Sequence, residues 1–513
     1  MRQVAERLAA RGHDVTVATS HHHQRKSKVV NGVKIRAFNA GGKMVYGLNG
    51  QIEHYREFVK TFEADAILIM AAQQWSFDAL WPVLDEIKAR KVFIPCGFSA
   101  LYEPDFAEYF RELPDVLKKF DHFVFNAEKY RDIDFVRSIG LTNFTVLPNG
   151  ISEADFEREP DGQFRQKLAI PQEAFLFLTV GNPIGAKGHR DVVDAFSRLD
   201  TGGQSAVLLS IAAWPLADSR LSSRTAAAAH FAIKVARRTM DVRRLEGWWG
   251  LGQNVRRKLV DTRRAIVVRL VNSRLGHYVR LIDAIIRRVV YIVRAEGWHG
   301  IRQLIRRKLA KRARPPVQAP TEPQRHAAPV VTSVLLTPVL PPVESIESMA
   351  AKASAKPFKR VILTDLARTE LVQAFLAADL FVFASRIEYS PLVLYEAAAA
   401  GTPFLTVPVG NAPEIVRWTG AGLLCEATKD GRGYTRVDPR DLARAMAGSM
   451  SDRAMLSRMG ETGRERWRKY FSWNVVAGYY EDILLGKKPD VQITAFQSPD
   501  QQAESAQPIP SVA

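Results

Sequence analysis

Two glutamates, Glu388 and Glu396, stand eight positions apart where an apolar run gives way to a helix. Residues 378–403 read as strand, tight loop, helix and stop. The run 380–384 is apolar with polar flanks, as a buried parallel strand is. Ser390 has the chemistry of an N-cap, and Pro391 at the first helical position loses nothing by lacking an N–H. Gly401 then ends the helix and Thr402-Pro403 keeps it ended. A helix beginning at Pro391 aims free backbone N–H groups beyond the strand end, an anion site suited to a diphosphate. Glu388 precedes that helix and Glu396 lies about one and a half turns inside it. One carboxylate reaches beside the phosphates and the other behind them.

A second constellation lies upstream. The apolar run 175–180 leads into Gly181-Asn182-Pro183-Ile184-Gly185-Ala186-Lys187-Gly188, then a helix over 191–199. Strand, glycine-rich loop with one lysine, and helix make a phosphate cradle. The spacing is not that of a P-loop. Taken singly, Lys187 reads as a surface lysine and the glutamates as a chance pair.

Together, Glu388-Tyr389-Ser390-Pro391 with Glu396, and Gly181-Asn182 with Lys187, resemble the nucleotide-sugar site of the family-4 retaining glycosyltransferases. The resemblance implies a GT-B fold: an α/β protein of two Rossmann-like domains facing a cleft. It covers roughly residues 1–210 and 358–486. It implies that Glu388 approaches the donor sugar, that Glu396 binds the nucleotide ribose, and that Lys187 neutralises the diphosphate. Glu388 and Lys187 are then the catalytic candidates. Gly181, Asn182, Lys187, Tyr389, Ser390, Pro391 and Glu396 are the donor-binding ones. The sequence departs from the family where Asn182 replaces an arginine, for which Arg386 or Arg190 is a candidate substitute. It departs again where Cys96 replaces a histidine, and where Tyr389-Ser390-Pro391 replaces the usual glycine-containing loop.

The elements around the site follow from pattern. Residues 1–11 read as an amphipathic helix. Strands are expected near 15–18, 33–38, 66–70, 91–95, 122–126 and 144–147, with largely helical connections, which argues for a parallel sheet. By the resemblance, the Leu-Ala-x-x-Gly-His-x-Val-Thr-Val pattern of the start is the first helix and second strand of the N-terminal domain. The first strand and its glycine-rich turn are missing, and a start codon upstream of Met1 is expected. Domains are expected at 1–150 (N-terminal, acceptor side) and at 151–212 with 343–470 (nucleotide-sugar side). A crossover helix is expected at 471–487 and a disordered tail at 488–513. Strands near 206–211, 360–364 and 404–409, and helices over 367–378, 438–450, 451–470 and 474–485, complete the second domain and the crossover.

Composition limits the remaining classes. The chain has 513 residues and a net charge of +18, with 72 Lys+Arg against 54 Asp+Glu. Residues 211–314 hold 25 of the basic and 6 of the acidic residues, a net of +19, so the remainder is near neutral at −1. Within this segment Glu246-Gly-Trp248 and the following Arg256-Arg257-Lys258-Leu259 recur fifty positions later, at Glu296-Gly-Trp298 and Arg306-Arg307-Lys308-Leu309. Between them an apolar helical stripe runs with arginines, the character of an interfacial helix on anionic lipid. The competing reading is a helical hairpin packed on its own domain. Nucleic-acid binding is disfavoured because no recognised nucleic-acid fold accompanies the charge. Residues 213–342 are therefore expected to be a basic helical insertion with a Pro-rich return.

Two cysteines, Cys96 and Cys425, give no disulfide framework and fit a reducing compartment. No signal-peptide pattern and no membrane-spanning run is visible. His21-His22-His23 reads as a solvated loop, and no metal site is expected. The function expected is transfer of a sugar, with retention, from a UDP- or GDP-sugar to a saccharide or lipid-linked acceptor. This would take place in the cytoplasm or on the inner face of the plasma membrane, with no cofactor because the nucleotide-sugar is a substrate. The alternative is a non-catalytic GT-B-like binding protein.

Overall fold

The structure, a computed structural model, describes residues 1–212, 344–431 and 433–492. The expected insertion and nearly all of the expected tail lie outside the described residues.

In the first domain α1 (Arg2–Ala10) turns Val4 and Leu8 inward. The chain continues through β1 (Thr16–Ser20), β2 (Val29–Val30), β3 (Val33–Phe38) and a hairpin of β4 (Ala40–Lys43) and β5 (Gly47–Gly50). After α2 (Ile52–Thr61) come β6 (Ala66–Met70), β7 (Arg90–Ile94), α3 (Ala107–Leu117), β8 (His122–Phe125), α4 (Arg131–Ser138) and β9 (Phe144–Val146). The parallel sheet expected here is in two pieces. Strands β6-β7-β8-β9 form one parallel sheet, while β1 pairs in parallel with β3 in a separate three-stranded sheet. Among the described residues, β1 and β6 each have one edge without a paired strand.

The second domain begins with α5 (Glu153–Phe156) and continues with β10 (Phe175–Val180), α6 (His189–Arg198) and β11 (Ala206–Ile211). It resumes at α7 (Ile346–Ser354), then β12 (Lys359–Thr364), α8 (Arg368–Ala377), β13 (Leu380–Phe383), α9 (Leu392–Ala400), β14 (Phe404–Thr406), α10 (Ala412–Thr419) and β15 (Gly422–Leu424). Its six-stranded sheet has the order β12-β11-β10-β13-β14-β15 and is parallel throughout. Every residue of β10, β11 and β13 is buried, as expected for strands covered by helices on both faces. Helices α11 (Pro439–Ser451) and α12 (Arg453–Arg466) complete the domain.

The chain passes between the domains twice, and the two passages hold each other. The Ile151 N–H donates to the Phe471 carbonyl at 2.8 Å, and the Trp473 N–H donates to the Ile151 carbonyl at 3.1 Å. The last helix, α13 (Trp473–Leu484), then returns to the first domain. There Val476, Tyr480 and Ile483 share a core with Val4 and Leu8 of α1 and with Val92 and Ile94 of β7. Cys96 and Cys425 are unpaired. No helix among the described residues is long and apolar enough to cross a membrane.

Two helical glycines test the packing of the second domain with opposite signs. A Cβ on Gly448 of α11 would meet nothing within 4 Å, whereas one on Gly460 of α12 would lie 2.1 Å from the Gly401 carbonyl oxygen. Gly448→Ala should stabilise the fold by about 0.5–1 kcal/mol through helix propensity. Gly460→Ala should destabilise it by about 1–3 kcal/mol despite the same gain, because backbone would have to move. Denaturant midpoints of the two variants check this; shifts of equal sign would contradict the packing.

Candidate functional site

The strand order creates the site. From β10 the chain runs outward through β11 to β12, then returns to lay β13 on the other side of β10. The loops after β10 and β13 therefore leave neighbouring strand ends in opposite directions and open a crevice between them. In an open parallel sheet this reversal is where ligands bind.

The two loops grip each other. The Arg386 N–H donates to the Ala186 carbonyl at 2.8 Å, and the Ser385 hydroxyl reaches the same oxygen at 3.2 Å. Gly188 has φ +73°, and a Cβ there would sit 1.9 Å from the Ala384 carbonyl oxygen, so only glycine permits this approach. Lys187 Nζ consequently lies 2.5 Å from Glu388 Oε1, and the Ser385 hydroxyl donates to the same oxygen at 2.8 Å. The Lys187 and Glu388 side chains are 24% and 14% exposed. An ion pair at that depth stays accessible to a ligand. A diphosphate entering the crevice would compete for the lysine and leave the carboxylate to hydroxyl groups.

Glu396 stands one turn into α9 and its side chain is 13% exposed. Burial pushes its carboxyl up, and the Arg368 guanidinium opposes that shift. Arg368 Nη1 donates to Glu396 Oε1 at 2.6 Å, while its Nη2 donates to Asp155 Oδ2 at 2.9 Å. Helix α9 begins one residue later than expected. Pro391 is its N-cap, with φ −70° and ψ 111°, and Leu392 is its first helical residue. The physical reason is that Ser390 does not cap: its hydroxyl accepts from Asn149 Nδ2 at 2.9 Å, across from the other domain.

The remaining expected residues are placed as follows. Gly181 ends β10 and donates its N–H to the Ile211 carbonyl at 3.1 Å. Asn182 is exposed at the mouth of the loop. Arg386 is not available as a substitute cation, because its Nε and Nη2 grip Asp191 at 3.0 and 2.8 Å. Arg190 is the second residue of α6. Tyr389 points away from Lys187 and into the first domain, where its hydroxyl accepts the Asn126 N–H at 3.0 Å and lies beside Asp132. Cys96 follows β7 with φ +61°, and burial pushes its thiol up to about 12. His22 and His23 stack on each other in an exposed loop. Among the described residues, no group of three or more His, Cys, Asp or Glu is placed to hold a metal ion.

Sequence reasoning missed Arg368, Asp155, Tyr130 and Asp132. Arg368 opens a helix that was expected, but nothing in its own surroundings announces its partner 28 positions away.

Residues 344–466 match the family model described as "Glycosyl transferases group 1". Glycogen synthase of Mycobacterium tuberculosis is 34% identical over 123 residues, 24% of this chain and 28% of that protein. The GDP-mannose-dependent alpha-(1-6)-phosphatidylinositol monomannoside mannosyltransferase of the same species is 33% identical over 128 residues, 24% and 31% of the two chains. The chain thus spans less than a third of the length of the curated relatives it matches. Among solved structures, sucrose-phosphate synthase from Thermosynechococcus elongatus superposes with a TM-score of 0.54 at 16% identity, covering 94% of this chain and 92% of that one. Anabaena Alr3699/HepE in complex with UDP and glucose gives 0.51 at 13% identity, covering 94% of each chain. The fold is GT-B, with two Rossmann-like domains, and its second domain holds the segment typical of group 1 glycosyl transferases.

His189 supports the lysine loop from behind. It is buried at the start of α6, its Nδ1 lies 3.1 Å from Ser210 Oγ, and a Cβ on Gly181 would lie 3.2 Å from its Nε2. Burial lowers its value from 6.5 to about 4. The unfolded chain therefore takes up a proton between those values that the folded chain refuses. The stability tied to neutral His189 is complete above pH 6.5 and drains away as pH falls towards 4. The loss should reach about 3 kcal/mol. Denaturant unfolding at several pH values should show this limb flattened in His189→Gln. Parallel profiles for the two proteins would contradict it.

Proposed function

We propose that this chain is a retaining glycosyltransferase of the family-4 type. It would move a sugar from a nucleotide-diphospho-sugar to a saccharide or lipid-linked acceptor. The observation that carries the reading is the Lys187–Glu388 pair at the β10/β13 crevice, with Glu396 one helix turn behind it. Charge develops on the departing diphosphate during transfer, and a fixed cation and a helix N-terminus stabilise it there. Lys187 and the free N–H groups at the start of α9 supply both. Glu396 accepts the ribose hydroxyls, and Arg368 opposes the upward push that burial gives its carboxyl. Glu388 orients the transferred sugar and stabilises positive character at the anomeric carbon.

The reaction on this reading uses no bound metal and no cofactor. The donor is a UDP- or GDP-sugar: HepE has been solved in complex with UDP-glucose, and the mycobacterial mannosyltransferase is GDP-mannose-dependent. Residues 211–314, with a net charge of +19, favour an anionic membrane surface as the place of work. Each basic residue near such a surface contributes about 1 kcal/mol. The enzyme would then act in the cytoplasm, peripheral to the inner face of the plasma membrane.

Hydrolysis and transfer assays with a panel of UDP-, GDP- and ADP-sugars test the assignment. Lys187→Ala should lower kcat by about a hundredfold or more. Glu396→Ala should raise the donor KM most, since it binds ribose in ground and transition states alike. Turnover of Glu396→Ala equal to that of the unaltered protein with every donor would sink the proposal.

A further inference from the structure

Glu388 is held by its side chain in the second domain and by its backbone from the first. The Tyr130 hydroxyl donates to the Glu388 carbonyl at 2.8 Å, and the Tyr130 and Tyr389 rings lie 4.8 Å apart. Next to it Tyr389 crosses between the domains. Its hydroxyl accepts the Asn126 N–H at 3.0 Å and lies beside the Asp132 carboxylate. Asp132 is fully buried and already accepts the N–H of Gly97 at 2.7 Å and its neighbour Ile133 at 3.0 Å. It fixes the start of α4 and the turn after β7 together, and so is a rigid anchor for the tyrosine.

The surroundings are cut to fit this side chain. Gly97 has φ +90°, and a Cβ there would lie 3.1 Å from Cγ of Tyr389. Gly410 has φ +56°, and a Cβ there would lie 2.4 Å from the Tyr389 carbonyl oxygen. That carbonyl accepts the Asn411 N–H at 2.9 Å, while Asn411 Nδ2 donates to the Asn126 carbonyl at 2.5 Å. Tyr389 is thus bracketed by glycines from each domain and hydrogen-bonded at both ends. A second contact does not involve the loop: Glu414 accepts the N–H groups of Glu128 and Lys129 at 2.8 and 3.0 Å.

We propose that Tyr389 is a positioning residue for sugar transfer: it bolts the Glu388 loop to the first domain, so that meeting of the domains and placement of the glutamate are one event. Its role in turnover rests on the donor-site reading above; its role as a bolt does not. With the domains apart, Tyr389 leaves Asn126 and Asp132, Tyr130 leaves the Glu388 carbonyl and Asn149 leaves Ser390, and the loop keeps its contacts within the second domain, among them Lys187, Ala186, Asp191 and Asn411. With the domains together, both ends of Glu388 are fixed.

Tyr389→Phe keeps the ring and removes the hydroxyl that meets Asn126 and Asp132. Hydrogen exchange followed by mass spectrometry should show residues 385–391 and the Asn126 amide exchanging about tenfold faster, while Lys129, held by Glu414, keeps its protection. Donor turnover should fall about tenfold in kcat, with the donor KM changed less than twofold, because ribose and diphosphate contacts remain. Tyr46→Phe, a hydroxyl deletion on the first domain outside this site, should alter neither. Unchanged exchange in Tyr389→Phe overturns the proposal. So does faster exchange with unchanged kcat in an enzyme that turns over. Faster exchange in a protein that turns over no donor, even unaltered, upholds the bolt and rejects the functional reading instead.

Discussion

The pairing of β13 alongside β10 is the constraint on which the site depends. Only two residue pairs set that register, Phe177 with Leu380 and Leu178 with Phe381. They are enough because all four side chains are fully buried, so a slip by one residue would exchange the side chains packed against the helices on the two faces and leave voids and clashes. Once the strands are neighbours, the loops that follow must meet. Gly188 lets them approach to backbone contact, and the contact sets Lys187 against Glu388. Core packing thus fixes a separation between two charged atoms whose residues lie 201 positions apart.

The charges around the crevice are balanced in pairs. Lys187 has Glu388, Arg386 has Asp191, and Arg368 holds Glu396 and Asp155. Half-buried carboxylates without such partners would take up protons and lose their value as acceptors. The pairs differ in what they leave free. Arg386 meets Asp191 with two nitrogens on two oxygens, a closed arrangement that has a structural look. Lys187 uses one ammonium on one oxygen and keeps donors free for a ligand. A sequence offers both cations as equals. Geometry separates them, which explains why Arg386 was a reasonable candidate for the diphosphate and is not available to it.

Much of this arrangement was legible in advance, and the reason is local. The runs of β10, β11 and β13 are apolar from end to end, a pattern that only double-sided burial produces, and the glycines and Pro391 mark the turns at their ends. Glu388, Glu396 and Lys187 could be named as candidates only because the strand–loop–helix units that carry them resemble the donor site of a known family. What failed was whatever depended on a distant partner. Ser390 has every local qualification of an N-cap, yet Asn149 takes its hydroxyl and the helix starts at Leu392. Tyr389 lies among donor-binding candidates by position and leaves them through Asp132, 257 positions earlier. The hairpin Ala40–Lys43 with Gly47–Gly50 escaped notice because its strands are rich in glycine and lack the β-branched residues that announce a strand.

The same distinction bears on how the two domains share the work. The crevice belongs to the second domain, but the loop bearing Glu388 touches the first at Asn149 and at Asn126, Tyr130 and Asp132, the last three from the end of β8 and the start of α4. That region is anchored in turn by Gly97, next to Cys96, at the end of β7. The strand ends of the first domain therefore press on the loop that bears Glu388. A change at the end of β7 or β8 would reach Glu388 through two hydrogen bonds. The placement of Glu388 is thereby set by residues of both domains, and substituting one at the end of β7 or β8 will disturb it.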